Sequence, residues 1–287
     1  MGVAGGYTIA ILLICVVAFP YMAISITIVH LKGGVGKTAT TVNLAGGISR
    51  EKKENGDAFK TLVVDLDPQA NLTSTLFPFN AMEYKKCLTV SDVFNGEPIE
   101  NCIVRSVCKG VDIIPSSICL VNLSMNVIAN PAMFLKLRSA IQSSEILDEY
   151  DYILFDSPPD LGLFMVSGLV ASDYYIIPMK SGCNYSMEGL DYLAPRIMEI
   201  EQQANQNLKL LGRLITFHDG RNSTCKSFYK RISNKYGAEV FDTIIRRNVD
   251  IDKAVTCRKT VFQHDTRVNG AIDYESLAKE VILKTRS

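Results

Sequence analysis

The chain has 287 residues, 30 basic and 30 acidic, so its formal net charge is zero; 47% of it is hydrophobic and 21% charged. That composition matches an ordinary globular protein and excludes intrinsic disorder, collagen-like repeats and coiled coil. The length allows one large domain or two small ones with a sizeable core.

Residues 1–31 contain no Asp, Glu, Lys or Arg, and residues 9–19 read IAILLICVVAF. The stretch lacks the basic start of a secretory signal. It has Gly6 where a myristoylation signal wants Ser or Thr. It reaches the ~20 apolar residues of a membrane span only by consuming residues 24–29, which the first strand requires. Residues 1–21 are therefore expected to be an extension, either an upstream start assignment or a short anchor. Residues 22–287 are expected to form one domain.

Apolar runs then recur at residues 23–30, 61–65, 111–115, 152–156, 174–178, 208–217 and 240–245. Each is short, continuous and rich in Val, Ile, Leu or aromatics, as strands buried on both faces are. Helical spacing falls between them, at 38–50, 131–149, 163–171, 187–205, 223–236 and 270–285. The alternation predicts an α/β fold with three layers, a doubly wound and mainly parallel sheet. The eight cysteines form no C-x-x-C pair and have no His at ligand spacing. That argues against a zinc site and for scattered reduced thiols. His30, His218 and His264 are read as structural.

Residues 31–38, LKGGVGKT, directly follow the first strand and precede the first helix. Glycines there let successive N–H groups face phosphate oxygens, and the helix aims its positive end at the same place. Lys37 is placed to reach the β/γ-phosphates and the Thr38 hydroxyl to ligate Mg²⁺. The ordinary pattern G-x-x-x-x-G-K-[ST] wants Gly where this chain has Leu31, and Lys32 adds a second lysine at the loop's head. Residues 63–71 read VVDLDPQAN, with Asp65 and Asp67 two apart and so on one side while the strand lasts. Asp156 ends the strand YILFD and enters the turn SPPDLG, where a P-loop site holds the water shell of its metal.

LKGGVGKT, VVDLDPQAN and FDSPPDLG together resemble the ParA/MinD group of deviant-Walker-A ATPases. ASDYYIIPM, MEGLDYL, IIRRNVDIDKA and HDTRVNGAIDYESLAKEV extend the resemblance to the ParA (Soj-like) branch, over about residues 22–283. The resemblance implies that Gly33, Gly34, Val35, Gly36, Lys37 and Thr38 cradle the ATP phosphates, with Thr38 on Mg²⁺. Lys32 would cross into the partner of an ATP-sandwich homodimer, and Asp67 would orient the attacking water. Asp65 and Asp156 would hold the magnesium water shell; Phe217 and Asn248 would flank the adenine.

Residues 209–268 hold thirteen Lys/Arg against six Asp/Glu, which suits a polyanion partner. By resemblance Arg221 is a contact to non-specific DNA. Lys226, Lys230 and Arg231 follow at helical spacing, and Arg246 and Arg247 follow the strand at 240–245. Asp250 stands where the Soj-like pattern has arginine, Lys253 where it has an acidic residue, and Asn269 where a basic one is common. Ser157 replaces the usual Thr or Cys of its turn. The implied function is a cytoplasmic, nucleoid-associated partitioning ATPase. ATP would drive dimerisation and DNA binding, and a ParB-like centromere-binding partner would stimulate weak hydrolysis. The alternative is a MinD-like membrane-surface positioning ATPase.

Overall fold

The structure, a computed structural model, describes residues 23–77, 86–125, 130–183 and 185–286. The expectation for residues 1–21 lies outside the described residues. Seven strands form one sheet: β1 (Ile24–Ile28), β2 (Thr61–Asp65), β3 (Val104–Cys108), β4 (Val111–Ile114), β5 (Tyr152–Asp156), β6 (Tyr174–Lys180) and β7 (Lys209–Thr216). Their spatial order is β3-β4-β2-β5-β1-β6-β7, with every pairing parallel except β3–β4. β1 lies between β5 and β6, so the loop after it opens at a switch point of the carboxyl edge, where such sheets bind ligands.

Alternate residues of each strand feed two cores. Ile26, Ile28, Val63, Tyr152 and Leu154 face one helical layer; Leu62, Val64, Ile153 and Phe155 face the other. The first layer holds α1 (Lys37–Ile48), which starts at the site, and the last helix of the chain, Asn269–Arg286. The three-layer, doubly wound architecture expected from the sequence is present. Among the described residues no helix is long and apolar enough to cross a membrane.

Two local expectations need correction. Residues 240–245 are not a strand; they run beside β7 with isolated bridges at Val240 and Arg246 only. The Glu280 carboxylate accepts the N–H groups of Asp242 and Thr243, both at 2.9 Å, and so diverts them from a ladder. Phe241 lies over Gly212 at the same place. In contrast β3 was not anticipated. It is a half-exposed edge strand that pairs antiparallel with β4 through the Lys109–Gly110 turn, Gly110 having φ +76°. The expected long helix at 131–149 is a helix over Met133–Gln142 and a separate 3₁₀ turn over Glu145–Glu149.

α1 and the last helix touch through glycine. A Cβ on Gly47 would lie 2.9 Å from the Ala278 Cβ and 3.0 Å from the Tyr274 carbonyl oxygen. Gly47→Ala is therefore expected to destabilise the protein by about 1–3 kcal/mol through overpacking, although alanine is the better helix former. Denaturant unfolding checks this; a neutral or stabilising result would show that the two helices are not held at that distance.

Candidate nucleotide-binding site

The loop after β1 is shaped by left-handed glycines. Gly34 has φ +71° and Gly36 +93°; a side chain at Gly36 would also meet the Phe217 ring at 3.3 Å. Around Gly33 and Gly34 nothing lies within 4 Å of where a Cβ would be, so the cradle is open. α1 starts immediately behind it, and no side chain caps its first turn. Its leading N–H groups, which have no partner within the helix, and its positive end meet at the loop.

Lys37 is buried at the start of α1, and its Nζ donates to the carbonyl oxygens of His30 (3.0 Å) and Lys32 (3.4 Å). Burial pulls its pKa below the usual lysine range, while Asp156, Asp67 and Asp160 act in the other direction. His30, fully buried, steadies the loop by accepting the Lys32 N–H at Nδ1 (2.9 Å). That agrees with the structural role expected of it.

Beneath the cradle, β2 and β5 end side by side, with Asp65 in register with Asp156. Both carboxylates are fully buried. The Thr38 hydroxyl donates to Asp156 Oδ2 at 2.7 Å, and Thr41 reaches Oδ1 at 3.3 Å. Asp65 accepts from the Thr73 N–H (2.8 Å) and hydroxyl (2.6 Å) and from the Asp67 N–H (3.1 Å). Burial, with Asp65 close by, pushes the Asp156 carboxyl up to about 8; burial pushes Asp65 to about 6. The expected sharing of one strand face by Asp65 and Asp67 stops with β2 at Asp65. Asp67 lies beyond the strand end and accepts the Gln69 N–H at 2.9 Å. Thr41 and Thr73 carry no signal in the sequence, because a buried hydroxyl has no spacing signature.

Buried oxygens with too little positive charge nearby suit a hard cation. Among the described residues no three His, Cys, Asp or Glu side chains form a cage that could hold a metal alone. The donor set therefore fits Mg²⁺, which keeps water and phosphate oxygens as ligands, better than a metal needing an all-protein cage. Thr38 commits its proton to Asp156, which leaves its lone pairs for such an ion.

Phe217 and Asn248 do meet, in a small cavity of about 50 Å³ that also touches Gly36 and Thr216. Phe217 holds the left-handed φ of +52°, an uncommon conformation for a bulky residue. The Lys180 ammonium lies 5.0 Å from its ring centre. Asn248 caps the helix Val249–Thr256 by accepting the Asp250 N–H at 2.7 Å.

The basic residues separate into two groups. Arg221 is almost fully exposed, and Lys226, Lys230 and Arg231 lie on the exposed face of the helix Ser223–Tyr236, whose other face buries Cys225, Phe228 and Ile232. Arg247 is exposed as well. Arg246 is not part of that surface group in the same way. Its guanidinium is clasped by Asp273, Nη2 to Oδ1 at 2.6 Å and Nε to both carboxylate oxygens, which ties the segment to the last helix. The charge reversal at Asp250 is offset locally by Lys253, 2.9 Å away.

Because the folded carboxylates hold protons that an unfolded chain gives up near pH 4, nucleotide-free protein binds more protons than its unfolded state between about pH 4 and 8. The contribution of this pair to stability thus falls as pH rises through that window. Asp156→Asn should flatten the loss, raising the melting temperature relative to wild type more at pH 8 than at pH 5. Thermal melts across that range check it; parallel wild-type and variant curves would contradict it.

The AAA domain family model matches residues 23–210. The chain is 32% identical over 265 residues to the chromosome-partitioning ATPase Soj of Treponema pallidum, covering 92% of this chain and 98% of that protein. Among solved structures it is similar to a putative plasmid partition protein of Borrelia burgdorferi bound to AMPPNP (25% identity, TM-score 0.75, 92% and 99% covered). It is also similar to the cobyrinic acid a,c-diamide synthase of Mycobacterium smegmatis with a bound ATP analogue and magnesium (25%, TM-score 0.76, 92% and 96% covered). With the deviant P-loop, the paired strand-end aspartates and this likeness over nearly its whole described length, the chain belongs to the Soj/ParA family.

Proposed function

We propose that the chain is a partitioning ATPase: a nucleotide switch that dimerises around Mg²⁺·ATP, binds DNA in that state and releases it after hydrolysis. The observation that carries this is the joined set of Lys37, Thr38 and Asp156 beneath an open glycine loop with Lys32 at its head. Phosphoryl transfer needs positioning and charge neutralisation more than covalent help, and this set supplies both.

Magnesium, when bound, would supply positive charge that offsets the charge on the phosphates. The chain's own groups do the rest. Lys37 leaves its two carbonyl acceptors for the β/γ-phosphates, while the N–H groups of residues 33–38 hold the phosphate oxygens. Thr38 would ligate the ion, Asp65 and Asp156 would hold its water shell, and Asp67 would orient the attacking water. Phe217 and Asn248 would flank the base.

Lys32 is turned toward its own subunit, where its Nζ donates to Cys183 Sγ at 3.1 Å. In the proposed cycle it leaves that contact to neutralise the phosphates of a second copy, so that ATP joins the dimer and hydrolysis loosens it. Arg221, Lys226, Lys230 and Arg247 form the DNA-contacting surface, with Arg246 as its internal brace. A ParB-like protein is the partner that accelerates hydrolysis, and the nucleoid is the place of action. The MinD-like alternative gains no support from the last helix. Its Tyr274, Leu277, Ala278 and Val281 are buried against α1 rather than presented as an amphipathic membrane face.

Lys37→Ala should abolish ATP binding and lower hydrolysis at least about 100-fold. Lys32→Ala should bind ATP yet remain monomeric. Calorimetry with analytical ultracentrifugation separates the two; a Lys32→Ala protein that dimerises like wild type would refute the crossing role. Wild type should co-sediment with random-sequence DNA in ATP, and equally strong binding in ADP would overturn the switch. Replacing Lys226 and Lys230 by Ala should reduce the salt slope of binding by about one per residue, with no change in ATP affinity.

A further inference from the structure

The Lys32–Cys183 contact has a chemistry of its own. We propose that Cys183 is a peroxide-reactive thiol whose oxidation covalently captures Lys32 in a reversible sulfur–nitrogen bond, locking the subunit out of its dimer. The inference rests on the proposed role of Lys32.

Exposure and a neighbouring cation mark this thiol. It is partly exposed at the mouth of the phosphate cradle, with the Lys32 ammonium 3.1 Å from its sulfur. A neighbouring cation favours the thiolate, the form that attacks peroxide, and reactive cysteines sit in such partly exposed, electropositive places. Cys102 and Cys108, in contrast, are buried, and burial pushes both thiols up to about 12. Cys119 and Cys257 are exposed rather than set against the cradle.

The turn that carries Cys183 is also held in place. Ser181 donates its N–H to the Thr216 carbonyl at 2.9 Å and its hydroxyl lies 3.0 Å from His218 Nδ1. The Cys183 N–H returns to the Lys180 carbonyl at 3.3 Å, and Gly182 turns the chain at φ +75°. The sulfur and the amine are thus presented to each other by two anchored loops.

The step balances without any further reagent than the peroxide. The thiolate attacks one peroxide oxygen and the O–O bond breaks; sulfur gives up two electrons. The departing hydroxide takes a proton from the Lys32 ammonium and leaves as water. The amine, now neutral, attacks the sulfenic sulfur; the S–N bond forms, the S–O bond breaks, and a second water leaves. One thiol, one amine and one peroxide become one S–N bond and two waters. A small thiol reverses it by attacking sulfur and returning the amine.

The test treats the full-length, nucleotide-free protein with dilute hydrogen peroxide and maps its peptides by mass spectrometry under non-reducing conditions. The expected product joins the Lys32 and Cys183 peptides, is two hydrogens lighter than their sum and is released by dithiothreitol. Cys183 should be oxidised about tenfold faster than Cys257, and preloading Mg²⁺·ATP should slow the capture. ATPase activity should fall as the link forms and return with dithiothreitol. It should survive peroxide in Cys183→Ser but not in Cys257→Ser. Oxidation of Cys119 or Cys257 ahead of Cys183, or oxidation of Cys183 without a bond to Lys32, would overturn the proposal. A link that forms while ATPase activity persists would instead overturn the role given to Lys32 and leave the capture standing.

Discussion

The site depends on two carboxylates that the fold buries side by side. β2 and β5 are neighbours in a parallel sheet, both end in aspartate, and the register sets Asp65 beside Asp156 with no exposure to water. Such a pair cannot hold two full charges without a cation. In the nucleotide-free protein hydroxyl and amide donors and a retained proton relieve it, and the nearby ammonium of Lys37 relieves it in part. The Thr38 hydroxyl, the Thr73 hydroxyl and N–H, and the loop N–H of Asp67 are all drawn into that task. The same shortage of positive charge is what a magnesium nucleotide would fill, so the tension between the carboxylates and their attraction for a cation have one origin.

That pair also requires the surrounding parts to keep their places. The glycine loop, α1 and the aspartates must hold mutual distances to a fraction of an ångström, and α1 is held by its glycine contact with the last helix and by the sheet. The last helix in turn holds Arg246 through Asp273 and the 242–243 backbone through Glu280. One helix therefore braces both the glycine loop, through α1, and the segment at residues 242–246.

Much of this was legible in the sequence, for identifiable reasons. Strands buried on both faces leave continuous apolar runs, so six of the seven strands could be read, and the glycine loop declared itself by its position between a strand and a helix. Asp65 and Asp156 were readable because each ends such a run. What stayed hidden depends on tertiary partners. The half-exposed edge strand β3 lacks the continuous pattern, and residues 240–245 carry the pattern but lose their ladder to Glu280. No spacing connects Lys32 with Cys183, 151 residues apart, and the sequence could not show that Arg246 is held by Asp273 while Arg221 is not.

The most direct test of this account is the proton count on binding Mg²⁺·ATP at pH 7, measured by calorimetry in buffers of different ionisation enthalpy. A carboxyl pair that retains a proton when empty must release it when a cation arrives. The account predicts net proton release by wild type, a smaller release by Asp156→Asn, and none when ATP is added without magnesium. Magnesium-dependent binding with no proton released, or with the same release in the variant, would contradict it.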